Sequence, residues 1–388
     1  MAPDSLYNLS PALSLLLLGA LLAGGPVGWV WWRHRGAALP RRRLALGVLT
    51  LFLTFDLILV GAFTRLTDSG LGCPDWPGCY GHASPVGAGM HIQAAQDAMP
   101  TGPVTHQKAW IEMLHRYLAT TVGALITLMT WLAWRDARAR RRAGLAHPGN
   151  ALPSPWWPTA TLVWVCLQGA FGALTVTMKL FPAIVSLHLL GGYGLLGLLV
   201  IQSVLWTRHL EGVPASVGAT SRQPALPRGG LVAGLLLLLV QASSGAWVST
   251  NYAVLACTEF PMCQGSWWPQ MDFAAAAEIW RPLGEHADGS TISFQALTAI
   301  HVFHRLLAMV TLLVLAWLAW AMRRTPELRR CSHFLLGLLL LQLLTGLSNV
   351  VLGWPMLAAV LHTGGAGALT AVLVWALALH PASGGGRA

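Results

Sequence analysis

Four histidines lie at matching places in two halves of this sequence, each inside a long apolar stretch. His115 and His304 each begin a His-Arg pair, in EMLHRYLA and HVFHRLLA, and His188 and His362 follow in SLHLLGGYG and VLHTGGAGA. A polar side chain in a bilayer is costly, and it usually faces the bundle interior or marks a functional site. One membrane histidine is often a packing residue, but four at equivalent positions indicate ligands.

Two imidazoles from facing helices suit a metal or a haem in the core of a helix bundle. Zinc normally takes a fourth protein ligand or a water, so two histidines alone are a poor zinc set. Haem iron needs only two axial ligands, because the porphyrin supplies the other nitrogens. The residues therefore predict two bis-histidine haem sites, one per half. The pairs Gly191–Gly192 and Gly364–Gly365 would let a flat macrocycle approach the backbone, although helix packing through small residues is equally consistent with them.

The residue one helical turn before the first histidine differs between the halves. It is Glu112 before His115, and the matching residue is His301 before His304. A carboxylic acid beside a buried macrocycle is expensive unless it accepts a proton or stabilises developing positive charge. The alternative is an interfacial glutamate bonded to a neighbouring basic residue. His301 is a secondary candidate for the second-half ligand, and His304 is preferred because the His-Arg pair matches across halves.

Three arginines are candidates for binding haem propionates. Arg116 and Arg305 each follow a candidate ligand, near the end of the helix where charge-assisted bonds to a propionate are reasonable. Snorkelling towards water is the alternative. Arg65 belongs to TRLTDSG at 64–70, which has no counterpart in the second half. The unmatched segment and Glu112 together indicate that the first half is the specialised one.

The elements that must position these residues are themselves repeated. GAFTRLTDSGLGCPDWPGCYG at 61–81 returns as GAWVSTNYAVLACTEFPMCQG at 245–265, shifted by 184 positions. Gln168 with Gly172 later returns as Gln342 with Gly346. Two copies of a four-helix unit in parallel orientation are therefore predicted, unlike the inverted repeats of many transporters. The predicted segments are 1–43 (an extra N-terminal transmembrane helix and a basic loop), 44–206 (first half), 207–228 (linker), 229–380 (second half) and 381–388 (tail).

The composition is that of an all-α polytopic membrane protein. Of 388 residues, 55% are hydrophobic and 10% charged, and the mean hydropathy is +0.58, whereas about a quarter of the residues of globular domains are charged. Nine runs reach the roughly 20 residues that span a bilayer. They are 10–32, 44–64, 110–134, 156–178, 183–206, 229–250, 297–321, 333–354 and 358–379. The first lacks the basic start of a signal peptide and is predicted to be an uncleaved helix.

Basic residues predict the orientation of these helices. The net charge of +10 comes from short clusters between apolar runs rather than a continuous basic face, which argues against nucleic-acid binding. Placing 33–43 in the cytoplasm puts 18 of the 24 lysines and arginines on that side. The N-terminus then lies outside and the C-terminus inside. The long loops 65–109 and 251–296 face outwards, where an oxidising compartment permits disulfides.

The motifs together resemble the haem A synthase family. TRLTDSGL, the Cys-x5-Cys loop, EMLHR, LHLLGG, HVFHR and LHTGG occur here in that family's order and spacing, over about residues 44–380. The resemblance is to the bacterial type with cysteine pairs in the outer loops. It implies an enzyme of eight helices in two halves, embedded in a bacterial cytoplasmic membrane. This enzyme would oxidise the C8 methyl group of haem O to a formyl group. The extra N-terminal helix departs from the family's eight, and Gly72 stands where serine is frequent.

The resemblance also implies a role for each candidate. His304 and His362 would ligate haem b, His115 and His188 would contact the substrate haem O, and Glu112 would be the acidic residue beside the reacting haem. Cys73–Cys79 and Cys257–Cys263 would be the outer pairs. Each can close a small disulfide loop worth roughly 2 kcal/mol, as a structural cap or, alternatively, as a redox relay or reactive thiol.

The partners implied are haem O, haem O synthase, and a quinone or other electron acceptor, with water or dioxygen as the oxygen source. The sequence leaves open a homo-oligomer. Three other functions compete: a dihaem b-type cytochrome, a membrane thiol oxidoreductase and a haem carrier. The cytochrome explains the histidines but neither Glu112 nor the unmatched TRLTDSG, and the proline within each cysteine loop favours structure over thiol chemistry.

Overall fold

Nine long apolar helices run through the part of the chain that the computed structural model describes, which is residues 10–144, 153–212 and 227–380. Each is long and apolar enough to cross a membrane. The prediction of an all-α polytopic membrane protein with eight core helices and one extra is confirmed. Within the predicted linker, 213–226 lies outside the described residues, as do 1–9 and the tail 381–388.

Two short helices in the loops were not predicted, and they complete the order of elements. The helices are α1 (Ser10–Arg33), α2 (Leu39–Leu66), α3 (Gly89–Ala98), α4 (His106–Arg142), α5 (Trp156–Thr177), α6 (Pro182–Leu210), α7 (Arg228–Thr250), α8 (Phe273–Ala276), α9 (Phe294–Met322), α10 (Arg329–Val351) and α11 (Met356–Leu379). α3 and α8 lie in the loops 65–109 and 251–296, and the other nine are the spanning helices.

The helix α4 is longer at both ends than the apolar run that predicted it. It has 37 residues, whereas the run covers 110–134. At its start the Thr105 hydroxyl oxygen accepts a hydrogen bond from the Lys108 backbone N–H at 3.2 Å, which satisfies one of the free N–H groups of the first turn. At its end the arginine-rich segment continues the helix, because arginine and alanine are good helix formers.

Four helices close on one another in each half. α2 packs against α4 and α6, and α5 completes the ring by packing against the same two helices. In the second half α7 packs against α9 and α11, and α10 again joins that pair. The halves meet mainly through α6 and α11, with α2 and α7 beside them. Each half therefore encloses its own interior.

The extra helix α1 belongs to the first half only. It packs along α4, and Gly19 lets the two backbones approach, because a Cβ there would lie 2.7 Å from the Thr120 Cβ. Nearer its start, Leu15 packs in one cluster with Cys73 and Cys79. α1 thus covers the first cysteine loop, and nothing in the described part of the second half takes the corresponding place.

Repeat-equivalent residues meet where the two halves touch. Arg65 donates to the Ser249 carbonyl at 2.7 Å, and the Tyr252 hydroxyl donates to Asp68 at 2.5 Å, and both pairs are 184 positions apart. Arg65 also reaches the Tyr252 hydroxyl at 3.1 Å and Asp68 at 3.2 Å. Residues related by the repeat can touch only near its symmetry axis. The unmatched segment TRLTDSG therefore lies at that axis.

A second contact of this kind lies deeper in the bundle. Tyr193 of α6 is fully buried, and its ring lies against Gly367 of α11, 174 positions later, where a Cβ would come within 3.1 Å. Its hydroxyl donates to the Thr363 carbonyl at 2.7 Å. His188 and His362 are 174 positions apart as well, so the axis passes between the two candidate ligand sites.

The α1–α4 contact can be tested by adding one methyl group. We expect Gly19→Ala to destabilise the protein by about 1–3 kcal/mol, because the methyl group overpacks against Thr120. Gly28→Ala in the same helix is the matched control, since nothing lies within 4 Å of a Cβ there. Thermal unfolding in detergent measures both. Equal melting temperatures for the two variants would contradict the packing described.

Candidate functional site

Each candidate ligand of the first half rests against a glycine on the neighbouring helix. His115 projects from α4 towards α2, where a Cβ at Gly61 would lie 3.0 Å from its Cε1 atom. His188 projects from α6 towards α5, where a Cβ at Gly172 would lie 3.3 Å from Cε1. Contacts this short force a ring to move, so a larger residue than glycine would displace both rings.

The second half repeats these contacts. A Cβ at Gly245 of α7 would lie 2.9 Å from Cε1 of His304, and one at Gly346 of α10 would lie 3.1 Å from Cε1 of His362. Gly61 matches Gly245, and Gly172 matches Gly346, so the ring-to-glycine contact is part of the repeat. All four histidines are half-buried, so part of each residue is uncovered by protein.

A glutamine fixes the backbone at the second histidine of each half. The amide of Gln168 donates to the His188 carbonyl at 3.0 Å, and that of Gln342 donates to the His362 carbonyl at 3.0 Å. The glutamine side chains also lie over Gly191 and Gly365. These glycines therefore accommodate glutamine from the next helix, and helix packing is the use that the structure gives them.

The arrangement of these side chains suits a ligand that needs two protein donors. His115 and His188 lie on α4 and α6, which both pack against α2 and α5, and His304 and His362 lie on α9 and α11, which both pack against α7 and α10. Among the described residues no three His, Cys, Asp or Glu side chains are grouped so as to hold a metal ion. A closed tetrahedral zinc site needs such a group, whereas two histidines are enough to hold a haem iron, because the porphyrin supplies its other nitrogens. The residues present fit haem.

Glu112 lies in a buried ion pair beside the first ligand. It is 3% exposed, its Oε2 accepts from the Cys73 backbone N–H at 2.7 Å, and its Oε1 pairs with Nη2 of Arg116 at 2.5 Å. A buried carboxylate with no partner would be strongly destabilising. The bonds to Arg116 and to the Cys73 N–H compensate for the cost of burying the carboxylate. They also hold it one helical turn from His115.

Arg116 binds the first cysteine loop. Its Nη1 donates to the carbonyls of Asp75 at 3.1 Å and Pro77 at 3.2 Å, and also to that of Gly78. A guanidinium group offers five donors in a fixed plane, so one arginine can gather several carbonyls of a tight loop. The propionate role of this arginine stays a prediction, and its observed partners are backbone oxygens.

Arg305 holds the second loop in the same manner. It donates to the carbonyls of Glu259 at 2.9 Å, Met262 at 3.2 Å and Cys257 at 2.8 Å. Its Nε lies 3.3 Å from Nε2 of His301, which takes the place that Glu112 has in the first half. The His301 ring is thus engaged by Arg305, which favours His304 as the second-half ligand.

The cysteine loops share one internal construction. The structure joins Cys73 to Cys79 and Cys257 to Cys263, and all four cysteines are buried. Asp75 accepts from the backbone N–H groups of Tyr80 at 2.6 Å and Gly81 at 2.7 Å. Glu259, its counterpart, accepts from the Gly265 N–H. The acid in each loop therefore closes the turn after the second cysteine, which is a structural use.

Arg65, the third propionate candidate, is occupied by contacts between the halves. Its partners are Ser249, Tyr252 and Asp68, and its guanidinium carbon lies 4.3 Å from the centre of the Tyr252 ring. The sequence correctly set this segment apart as unmatched. The structure adds that this segment lies where the two halves meet, so a substitution in it changes contacts of both halves.

Several residues at the site were not predicted from the sequence. The glycines Gly61 and Gly245 were seen only as the first residues of a repeated motif. Their equivalent place at the start of the repeated motif, on the helix before the first histidine of each half, was the available signal. Gln168 and Gln342 were recognised as repeated, but their bond to the ligand's own carbonyl becomes visible only when the helices are packed.

The chain is similar to proteins of one known family. A family model described as cytochrome oxidase assembly protein matches residues 44–374. The chain is similar to a haem A synthase of Shewanella oneidensis, with 37% identity over 329 residues, covering 84% of this chain and 93% of the relative. It is also similar to haem A synthases of Halalkalibacterium halodurans, with 25% identity over 321 residues (81% and 89%), and of Bradyrhizobium sp. strain ORS 278, with 28% over 333 residues (79% and 83%).

The family model covers most of the chain, with α4 to α7, α9 and α10 included in full and most of α2 and α11, and it leaves α1 outside. The Shewanella relative shares more than a third of its residues over nearly its whole length. The chain therefore belongs to the haem A synthase family of cytochrome oxidase assembly proteins.

Proposed function

We propose that this chain is a haem A synthase, an oxidoreductase that converts the C8 methyl group of haem O to a formyl group. Membership of the family supports this activity. The observation that carries it at the site is the pair of histidines on opposite helices of each half, with a buried carboxylate, Glu112, one turn before His115 and a histidine, His301, at the equivalent position of the second half. Of two similar haem sites, the one with an acidic neighbour suits a substrate haem and the other suits a cofactor haem.

The first half is the proposed substrate site, with His115 and His188 in contact with haem O. The second half is the proposed haem b site, where His304 and His362 would hold the haem. When bound there, haem b supplies a one-electron relay from the substrate to a quinone or other acceptor. With water as the source of oxygen, conversion of a methyl to a formyl group releases four electrons and four protons, so such an acceptor is required.

Glu112 is the proposed catalytic residue. Both its oxygens are already bound, by Arg116 and by the Cys73 N–H, so the carboxylate is held in place before substrate arrives. Preorganised charge of this kind stabilises positive charge that develops at a reacting carbon, and a positioned carboxylate can also take up a proton. The absence of a carboxylate at the equivalent His301 supports chemistry in the first half alone.

The proposed orientation places both cysteine loops and the start of α1 on the outer face of a bacterial cytoplasmic membrane, with the C-terminus inside. Contacts between Leu15 and the first loop, and between Arg65 and Ser249, support a common end for these elements. The proposed halves are residues 44–206 and 229–380. The cysteine pairs are proposed as structural caps, since their sulfurs are buried and their loops are held by arginine.

Product analysis tests the activity directly. The chain is expressed with a supply of haem O, the haems are extracted, and the products are separated by chromatography. We expect haem A to accumulate. Recovery of haem b with unchanged haem O alone would contradict the activity and would favour a dihaem cytochrome or a carrier.

Replacing Glu112 by glutamine tests its catalytic role. Glu112→Gln keeps a side-chain oxygen for Arg116 or the Cys73 N–H but removes the negative charge, so we expect haem A formation to fall by about 10²–10⁴-fold with bound haem unchanged. Glu285→Gln, at an exposed carboxylate of the other long loop, is the matched control. Wild-type rates in the Glu112 variant would remove this residue from the mechanism.

The ring-to-glycine contact can be tested on one helix. Gly346→Ala would place a methyl group 3.1 Å from His362 Cε1, so the ring must shift, and we expect the affinity for haem b to fall about tenfold. Gly337→Ala, also on α10, meets nothing within 4 Å and should bind haem normally. Absorbance of the purified variants gives haem per protein. If the diluted Gly346→Ala protein still carries a full complement of haem, the contact with Gly346 does not determine the position of the His362 ring.

A further inference from the structure

We propose that Ser244 and Thr345 are positioning residues that hold the second-half ligand rings in one tautomer and orientation, and that the lack of such residues makes the first-half ligands exchangeable. The proposal rests on the function proposed above and extends it. It identifies which residues make one site retain its haem while the other admits haem O and releases haem A.

Ser244 determines which ring nitrogen of His304 carries the proton. Its Oγ lies 2.8 Å from Nδ1 of His304, and its hydroxyl donates to the Gln241 carbonyl at 2.8 Å. The only hydroxyl proton is thereby used, so Oγ must accept from Nδ1–H. The lone pair of His304 is then on Nε2, the nitrogen left free for iron. The amide nitrogen of Gln241 also lies 3.1 Å from Nδ1, and the amide oxygen has no partner, so turning the amide over makes that oxygen a second acceptor for Nδ1–H.

Thr345 does the same for His362. Its Oγ1 lies 3.0 Å from Nδ1 of His362, and its hydroxyl donates to the Leu341 carbonyl at 2.7 Å. The oxygen again acts as the acceptor of Nδ1–H, and Nε2 again keeps its lone pair. Both rings of the second half are therefore prepared as ligands by a hydroxyl group on the neighbouring helix.

The first half has no such groups. Nδ1 of His115 and Nδ1 of His188 are buried without a hydrogen-bond partner. The residues equivalent to Ser244 and Thr345 are Val60 and Phe171. In each half these residues immediately precede the glycine against which the ring rests, so the same backbone position carries a hydroxyl group in one half and an apolar side chain in the other.

This difference changes how tightly a ring can bind iron. A ligand imidazole that donates its other N–H is held in one orientation and is more basic, and loss of such a partner typically costs 10–100-fold in metal affinity. His115 and His188 are oriented by packing alone. A site for a substrate must release its product, so a weaker and less constrained pair of ligands suits the first half.

The test compares haem retention in full-length variants purified in detergent. We expect Ser244→Ala and Thr345→Val to lose haem b to excess apomyoglobin about 10–100 times faster than wild type, with a changed low-spin signal in electron paramagnetic resonance. Ser244→Thr, which keeps the hydroxyl group, should restore slow loss. Ser243→Ala is the matched control, because Ser243 bonds only its own helix at Leu239.

The converse variant adds the missing group. Val60→Thr is nearly isosteric, and we expect it to slow loss of first-half haem, so that more haem O and haem A remain with the purified protein. These readouts do not need haem A formation, so they can fail separately from the proposed function. Wild-type loss rates and spectra in both second-half variants, or unchanged first-half retention in Val60→Thr, would overturn the proposal.

Discussion

Each candidate ligand ring lies against a glycine of the neighbouring helix, and this close approach of two helices constrains the rest of both sites. A Cβ at any of the four glycines would lie 2.9–3.3 Å from a ring carbon. Because the helices are so close, the residue before the glycine also lies beside the ring. In the second half that residue is Ser244 or Thr345, which contact Nδ1 directly. The close approach of the two helices at the glycine therefore also determines which side chain can hydrogen-bond to Nδ1 of the ring.

The arginine after each first ligand connects the site to the outer loop. Arg116 and Arg305 lie one residue from a ligand, yet both donate to loop carbonyls rather than pointing away into water. In the first half the connection continues through Glu112, which bonds both Arg116 and the Cys73 N–H. The first disulfide loop, the carboxylate and the helix bearing His115 are thus one hydrogen-bonded unit. A disturbance of that loop should reach the carboxylate directly.

The sequence predicted the spanning helices and the repeat, because apolar length and duplicated motifs are local properties of the chain. It also singled out the histidines, Glu112 and TRLTDSG. It could not predict that Arg65 contacts Ser249, because that contact depends on how two halves pack across a junction. The partners of Arg116 were missed for a similar reason: a cationic side chain near a membrane interface has several suitable acceptors, and only the folded loop decides among them. Ser244 and Thr345 resemble ordinary helix hydroxyls until the rings are placed.

The meeting of equivalent residues at the axis has a consequence for the origin of two different sites. In a dimer of identical four-helix chains, the interface would be isologous, and a residue on the axis would face its own copy. Two tyrosines could not share the space that Tyr193 fills over Gly367, and two aspartates in place of Asp68 and Tyr252 would repel each other. Joining both units in one polypeptide removes that restriction, since each side of the axis can change alone. Covalent fusion therefore allows a residue of one half to change without the same change in the other half, as Glu112 and His301 show at equivalent positions.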